Sequence, residues 1–84
     1  MNKLILVGRV INFDLSNRTL KLRVPGKRKI DEFIIYFPNA EQNLIRFLQD
    51  KFAFNDLVRI NAYITISKST KRIEIHAIDI NFYK

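Results

Sequence analysis

Ten residues, "VRINAYITIS" (Val58–Ser67), alternate apolar and polar without a break. Val58, Ile60, Ala62, Ile64 and Ile66 fall on one side of an extended chain. Arg59, Asn61, Tyr63 and Thr65 fall on the other. A helix would scatter these two sets around its axis, so the stretch reads as a half-buried β-strand. The same period recurs in "TLKLRV" (Thr19–Val24), which turns Leu20, Leu22 and Val24 inward and Lys21 and Arg23 outward. In "RIEIHA" (Arg72–Ala77) Ile73, Ile75 and Ala77 point inward, and the apolar phase then slips to Ile78, Ile80 and Phe82. A slip of one residue is what a β-bulge produces. "DEFIIYF" (Asp31–Phe37) is apolar almost throughout, so alternation does not reveal its facing.

The leading strand, "NKLILVGRV" (Asn2–Val10), carries a glycine at its centre. Turn signals separate the strands: "DLSNR" (Asp14–Arg18), "PGKRK" (Pro25–Lys29) with its Pro-Gly step, and "SKST" (Ser67–Thr70). One segment has helical spacing. "NAEQNLIRFLQDKF" offers Asn39 as N-cap with Gln42 three residues on, then an apolar stripe of Leu44, Leu48 and Phe52 with Ile45 beside it. Pro38 ends the preceding strand, and "FND" (Phe54–Asp56) turns the chain into the next. The order β-β-β-α-β-β, all-β with one helix, is that of the OB-fold, a five-stranded Greek-key barrel. Residues 1–84 are expected to form a single OB-fold domain. In so small a barrel the first strand must curl to reach neighbours at both ends, and Gly8 removes a side chain that would obstruct the bend.

Composition narrows the function. Cysteine is absent and histidine occurs once, so disulfides, thiolate chemistry and a zinc site are not expected, and no cofactor or metal is called for. The eight acids are scattered at turns and caps with no pair at acid–base spacing, and Gly8 and Gly26 are the only glycines, so no phosphate-cradling loop exists. The chain is expected to be a non-enzyme. No apolar run approaches a signal-peptide core or a membrane span, which points to a cytoplasmic, nucleoid-associated protein with no membrane partner. The formal charge is +7. Arg18–Lys29 holds six basic residues and no acid, and Thr65–Arg72 holds three and no acid. Only six of the fifteen Lys+Arg are left for the rest of the chain, against all eight Asp+Glu. The positive excess sits wholly in two short segments, as on a surface built for polyanions.

"NKLILVGRV" resembles the opening strand of bacterial single-stranded-DNA-binding proteins, "FNDLVRINAYIT" resembles their fourth strand, and "KRIEIHAIDI" resembles the final strand of the related primosomal protein B, including its His-Ala step. The resemblance spans nearly the whole chain as pattern, and the first strand is its most specific part. It implies an OB-fold that binds single strands with little sequence preference, as a homodimer or homotetramer. The chain departs from the pattern in having no tryptophan, and it reaches Lys84 without the acidic tail that standard members use to recruit replication proteins. This places it nearer to primosomal protein B or a minimal variant.

Sequence-neutral binding of a single strand needs cations that follow phosphates and flat rings on which bases stack. The expected cations are Lys21 and Arg23 on strand two, Lys27, Arg28 and Lys29 in the hairpin after it, and Lys68, Lys71 and Arg72 in the last hairpin. The expected rings are Phe33, Tyr36 and Phe37 on strand three and Tyr63 on strand four. Two alignments of strand three remain open: one turns Phe33, Ile35 and Phe37 outward, the other Ile34 and Tyr36. Phe13 and Phe82 are read as covers for the barrel ends. Arg9 and Arg59 either touch phosphate or pair with Glu32 and Glu74. His76 reads as an ordinary polar strand residue. The leading function is single-stranded DNA binding in replication, recombination or repair. An RNA-binding OB module and a primosome-type protein adaptor stand beside it.

Overall fold

A computed structural model describes residues 2–26 and 30–83 of the chain. The elements follow the expected order: β1 (Asn2–Asp14), β2 (Thr19–Pro25), β3 (Ile30–Tyr36), α1 (Gln42–Lys51), β4 (Leu57–Ile66) and β5 (Ile73–Phe82). The strands close into a barrel in the order β1-β2-β3-β5-β4, with β4 returning to β1. All pairings are antiparallel except β3 with β5, which is parallel and spans only Ile35↔Ile75 and Tyr36↔His76.

β1 belongs to both halves of the barrel. Asn2–Arg9 pairs with β4, and Arg9–Asp14 pairs with β2, so the hand-over occurs at Arg9, one residue past the glycine. A Cβ on Gly8 would lie 2.5 Å from the Arg23 carbonyl oxygen and 3.1 Å from side-chain carbons of Leu22 and Val24. The glycine is required by the close approach of β2 across the curled strand.

The core holds Val10, Phe13, Leu20, Leu22, Ile35, Phe37, Val58, Ile60 and Ala62 from the barrel, with Ile45, Leu48 and Phe52 closing it from the helix. Phe13 meets Phe37 at 6.4 Å between ring centroids, and Phe52 meets Phe82 at 4.6 Å. Phe13 is thus a core residue, while Phe82 stays exposed on its other side.

The helix differs from expectation at its start. Asn39 is not the cap. The chain first makes a turn closed by Ala40 N–H donating to the Phe37 carbonyl at 3.2 Å, which carries Asn39 out of position. Glu41 becomes the N-cap, with extended backbone (φ −76, ψ 157) and no side-chain hydrogen bond to the helix. The buried stripe is Ile45, Leu48 and Phe52, and Leu44 lies on the exposed flank. Glutamate caps poorly because its longer side chain misses the first-turn N–H groups that serine reaches. Glu41→Ser should therefore raise stability by about 1 kcal/mol, seen as a rise of roughly 4–8 °C in the melting temperature.

The bulge lies where the phase slips. Asn61 pairs with Asp79 and Ala62 with Ala77, leaving Ile78 as the extra residue. Ile78 is accordingly exposed, while Ile80 and Phe82 resume opposite Ile60 and Val58. The far end of the β4–β5 hairpin also departs from expectation. Ile64, Ile66 and Ile73 keep the inward phase but are 38%, 64% and 72% exposed: Ile66 and Ile73 pair with each other past the short β3–β5 seam, where no described residue buries them, and Ile64 sits at the seam's edge opposite Ile75.

Candidate nucleic-acid interface

The parallel seam decides where the hairpins go. Ile35 pairs with Ile75, so β3 and β5 begin at the same end of the barrel. The end of β2, the start of β3 and the β4–β5 connection therefore lie at one end, and the β1–β2 turn at 15–18 lies at the other. Between them the outward face of the sheet forms rows of side chains across the strands. One row runs Lys3, Tyr63, His76, Tyr36, Thr19, Asp14. The next holds Asn12, Lys21 and Ile34, and the third Arg9, Arg23 and Glu32.

Two hollows lie along this face and meet at Ile34 and Tyr36. The first, about 570 Å³, is lined by Asn12, Asp14, Asn17, Thr19, Lys21, Ile34 and Tyr36. The second, about 470 Å³, runs from Phe33, Ile34 and Tyr36 to Thr70, Arg72, Ile73 and Glu74. Together they make a trough from the β1–β2 turn to the β4–β5 hairpin.

The second alignment of strand three holds. Ile34 and Tyr36 face the trough, while Ile35 is fully buried. Phe37 is a correction: at 8% exposure, against Phe13, it is a core ring and offers no face to a base. Phe33 is half-buried: it packs against the core and also lines the second hollow. Tyr36 and Tyr63 are half-buried and flank His76, at centroid distances of 5.9 and 5.3 Å. The three rings form a contiguous row across β3, β5 and β4. A hydrogen-bond chain ties the row together. His76 Nε2 lies 2.9 Å from Glu74 Oε1, and Nδ1 lies 3.3 Å from the Tyr63 hydroxyl.

Lys21 stands in the first hollow and Arg72 in the second. Arg23 is half-buried in the third row, opposite Arg9 and Glu32. Lys68 and Lys71 are exposed at the hairpin tip, which its own polar groups hold in shape. Lys71 N–H donates to the Ser67 carbonyl at 2.9 Å, Thr70 N–H to Ser67 Oγ at 3.3 Å and Arg72 N–H to Thr70 Oγ1 at 3.3 Å. Lys71 takes a positive φ of 61° to close this turn. Lys27, Arg28 and Lys29 lie outside the described residues. Arg9 does not pair with Glu32 or Glu74: its Nη1 donates to the Asn55 carbonyl at 3.0 Å, bracing the turn before β4. Arg59 is exposed and has no ion pair among the described residues.

Carboxylates share the trough. Glu32 and Glu74 line the second hollow, and Asp14 stands at the end of the first. Asp14 accepts hydrogen bonds from Asn17 N–H at 3.1 Å and Asn17 Nδ2 at 2.9 Å, which hold its carboxyl below the ordinary value. The site residues that sequence reading missed are His76 and Glu74. The available signal was phase: Tyr63 and His76 both occupy the polar side of strands that must pair.

Among the described residues, no group of His, Cys, Asp and Glu could hold a metal ion, and no helix is long and apolar enough to cross a membrane. No protein-family model matches the chain, and no curated protein matches it. Solved structures do. The mitochondrial single-stranded DNA-binding protein of S. cerevisiae superposes with a TM-score of 0.77 at 21% identity, covering 99% of this chain and 94% of that one. The chain has the OB-fold of such proteins. The same OB-fold superposes on the dimeric N-terminal domain of PriB from Thermoanaerobacter tencongensis, with a TM-score of 0.68, 20% identity, and 99% and 97% of the two chains covered. The small single-stranded DNA-binding protein of Streptomyces coelicolor gives 0.57 at 16% identity, over 96% of this chain and 93% of that one.

Proposed function

We propose that the protein binds single-stranded DNA with little sequence preference, without catalysis, in replication, recombination or repair within the cytoplasm. The observation that carries this reading is the ring row Tyr36–His76–Tyr63, which crosses the sheet from the trough at Tyr36, with the cationic β4–β5 hairpin at the trough's end. Rings give every base a face to lie on, and the cations give the backbone a track, so affinity follows without base-edge readout. An unpaired strand can splay its bases onto such a row, whereas a duplex keeps them stacked inside. The likeness in fold to single-stranded DNA-binding proteins supports the same conclusion.

Self-association belongs to the proposal. The outer face of β1, β4 and β5 exposes Ile5 and Ile78 beside a hollow of about 530 Å³. The similar PriB domain is a dimer. Sedimentation showing a monomer at every salt concentration would remove this part.

The test is fluorescence anisotropy with oligothymidylate, its duplex with oligoadenylate, and oligouridylate, across a salt series. Single-stranded DNA should bind most tightly, with log affinity falling by roughly 0.7 per neutralised phosphate for each log unit of salt. Replacing Lys68, Lys71 and Arg72 together by alanine should flatten that slope by up to about 2. An unchanged slope takes the hairpin out of the site. Tighter binding of the ribo-oligonucleotide would assign the module to RNA, and no binding of any strand at low salt would end the reading.

A further inference from the structure

The middle ring of the row is the one with a titratable edge. Glu74 can only accept, so His76 Nε2 carries the hydrogen of their 2.9 Å contact. In the neutral imidazole Nδ1 is then the acceptor, and the Tyr63 hydroxyl donates to it across 3.3 Å. The chain runs Tyr63 O–H to Nδ1, then Nε2–H to the carboxylate, and every proton has a place. The groups around the imidazole are few. β3 contributes Tyr36, β4 contributes Tyr63, and its own strand contributes Glu74. The His76 side chain keeps 16% of its surface, and its ring lies between two tyrosines in the same cross-strand row.

We infer that His76 is a ligand-contacting residue, the middle stacking ring of the row, oriented by the Tyr63–His76–Glu74 chain, and that its protonation tightens the hold on a single strand. This rests on the single-strand reading above and adds to it a contact residue and a condition. Protonation places a hydrogen on Nδ1. That hydrogen must now be donated to the Tyr63 oxygen, so the contact reverses direction. Tyr63 O–H is released from the ring and turns to solvent, where a phosphate or a base oxygen can accept from it. Nε2–H stays on Glu74 in both states, so the ring does not rotate. One proton therefore supplies a positive charge beside the strand and a free hydroxyl donor, with the stacking surface unchanged. Asp14, held below the ordinary carboxylate value by its hydrogen bonds from Asn17, stays ionised through the pH range used below and contributes no competing change.

The experiment measures oligothymidylate affinity by anisotropy from pH 7.5 to 5.5 at several salt concentrations. Thymine gains no proton in this range. Folding is checked by circular dichroism at each pH. Wild type should bind about tenfold more tightly at pH 5.5 than at 7.5 in low salt, with the salt slope steeper by about 0.7. His76→Phe keeps a ring but loses the protonatable edge, so whatever its affinity at pH 7.5, it should show no gain at 5.5. Tyr63→Phe keeps its ring and loses the released hydroxyl, so its gain should be smaller than wild type. If His76→Phe binds the strand and gains affinity on acidification as wild type does, the inference fails and the single-strand reading stands. If His76→Ala, folded, binds as tightly as wild type at both pH values, His76 makes no contact. If wild type binds no strand at any pH, both fall together.

Discussion

Replacing Tyr36 and Tyr63 together by alanine should weaken oligothymidylate binding by about 30-fold or more at fixed salt, while leaving the salt slope unchanged. The two rings are the outer members of the row, and a stacked base loses about 1–3 kcal/mol when its ring is removed. At about 1.4 kcal/mol per decade, each single substitution should cost between about fivefold and 150-fold. The pair should not add exactly, because both rings touch His76, and removing Tyr63 also leaves Nδ1 without its hydroxyl partner. An unchanged slope is the diagnostic part. Rings hold bases and release no counterions, so only the intercept of the salt plot should move. Phe37→Ala is the control. It removes a ring that is 8% exposed, so it should lower the melting temperature and leave the affinity of the folded fraction intact. Double-alanine protein that binds as wild type would show that bases do not lie on this row.

Gly8→Ala should be among the most damaging single-methyl changes available in this chain. The added Cβ would meet the Arg23 carbonyl oxygen at 2.5 Å, and that atom is backbone inside a paired strand. Relief requires β2 to move away from β1, and β2 carries Leu20 and Leu22, both fully buried. Overpacking of this kind costs about 3 kcal/mol, or roughly 12–24 °C in the melting temperature of a domain this size. Thermal unfolding followed by circular dichroism reads it directly. A variant melting within about 2 °C of wild type would mean that the two strands are not held so close.

Much of this architecture could be read from residue order, for reasons that differ by element. β2 and β4 announce themselves because each has one wet face, and alternation records exactly that difference. The bulge was visible for the same reason, since a shifted phase at Ile78 has no other cause in a paired strand. Phase does not say whether anything covers the inward side, and so Ile64, Ile66 and Ile73 read as core but are exposed, Ile66 and Ile73 beyond the seam and Ile64 at its edge. β3 was ambiguous because Phe33, Ile34, Ile35, Tyr36 and Phe37 are all apolar or aromatic. Only its register with β2 and β5 turns Tyr36 outward and buries Phe37. The Asn39 cap failed because a local pattern cannot show that the chain first spends a turn from Phe37 to Ala40. The His76 chain was beyond local reading. Its ring neighbours come from β3 and β4; phase puts His76 on the same side as Tyr63, but only the register of β5 with both strands brings the three rings together.

The two-pair contact of β3 with β5 has a mechanical consequence. A hoop riveted so briefly at one point parts there before it parts anywhere else. Tyr36 and His76 stand on opposite sides of that rivet. A nucleobase held by both would bridge the joint itself, so a bound strand would also clamp the cylinder shut, and occupancy and closure would favour each other.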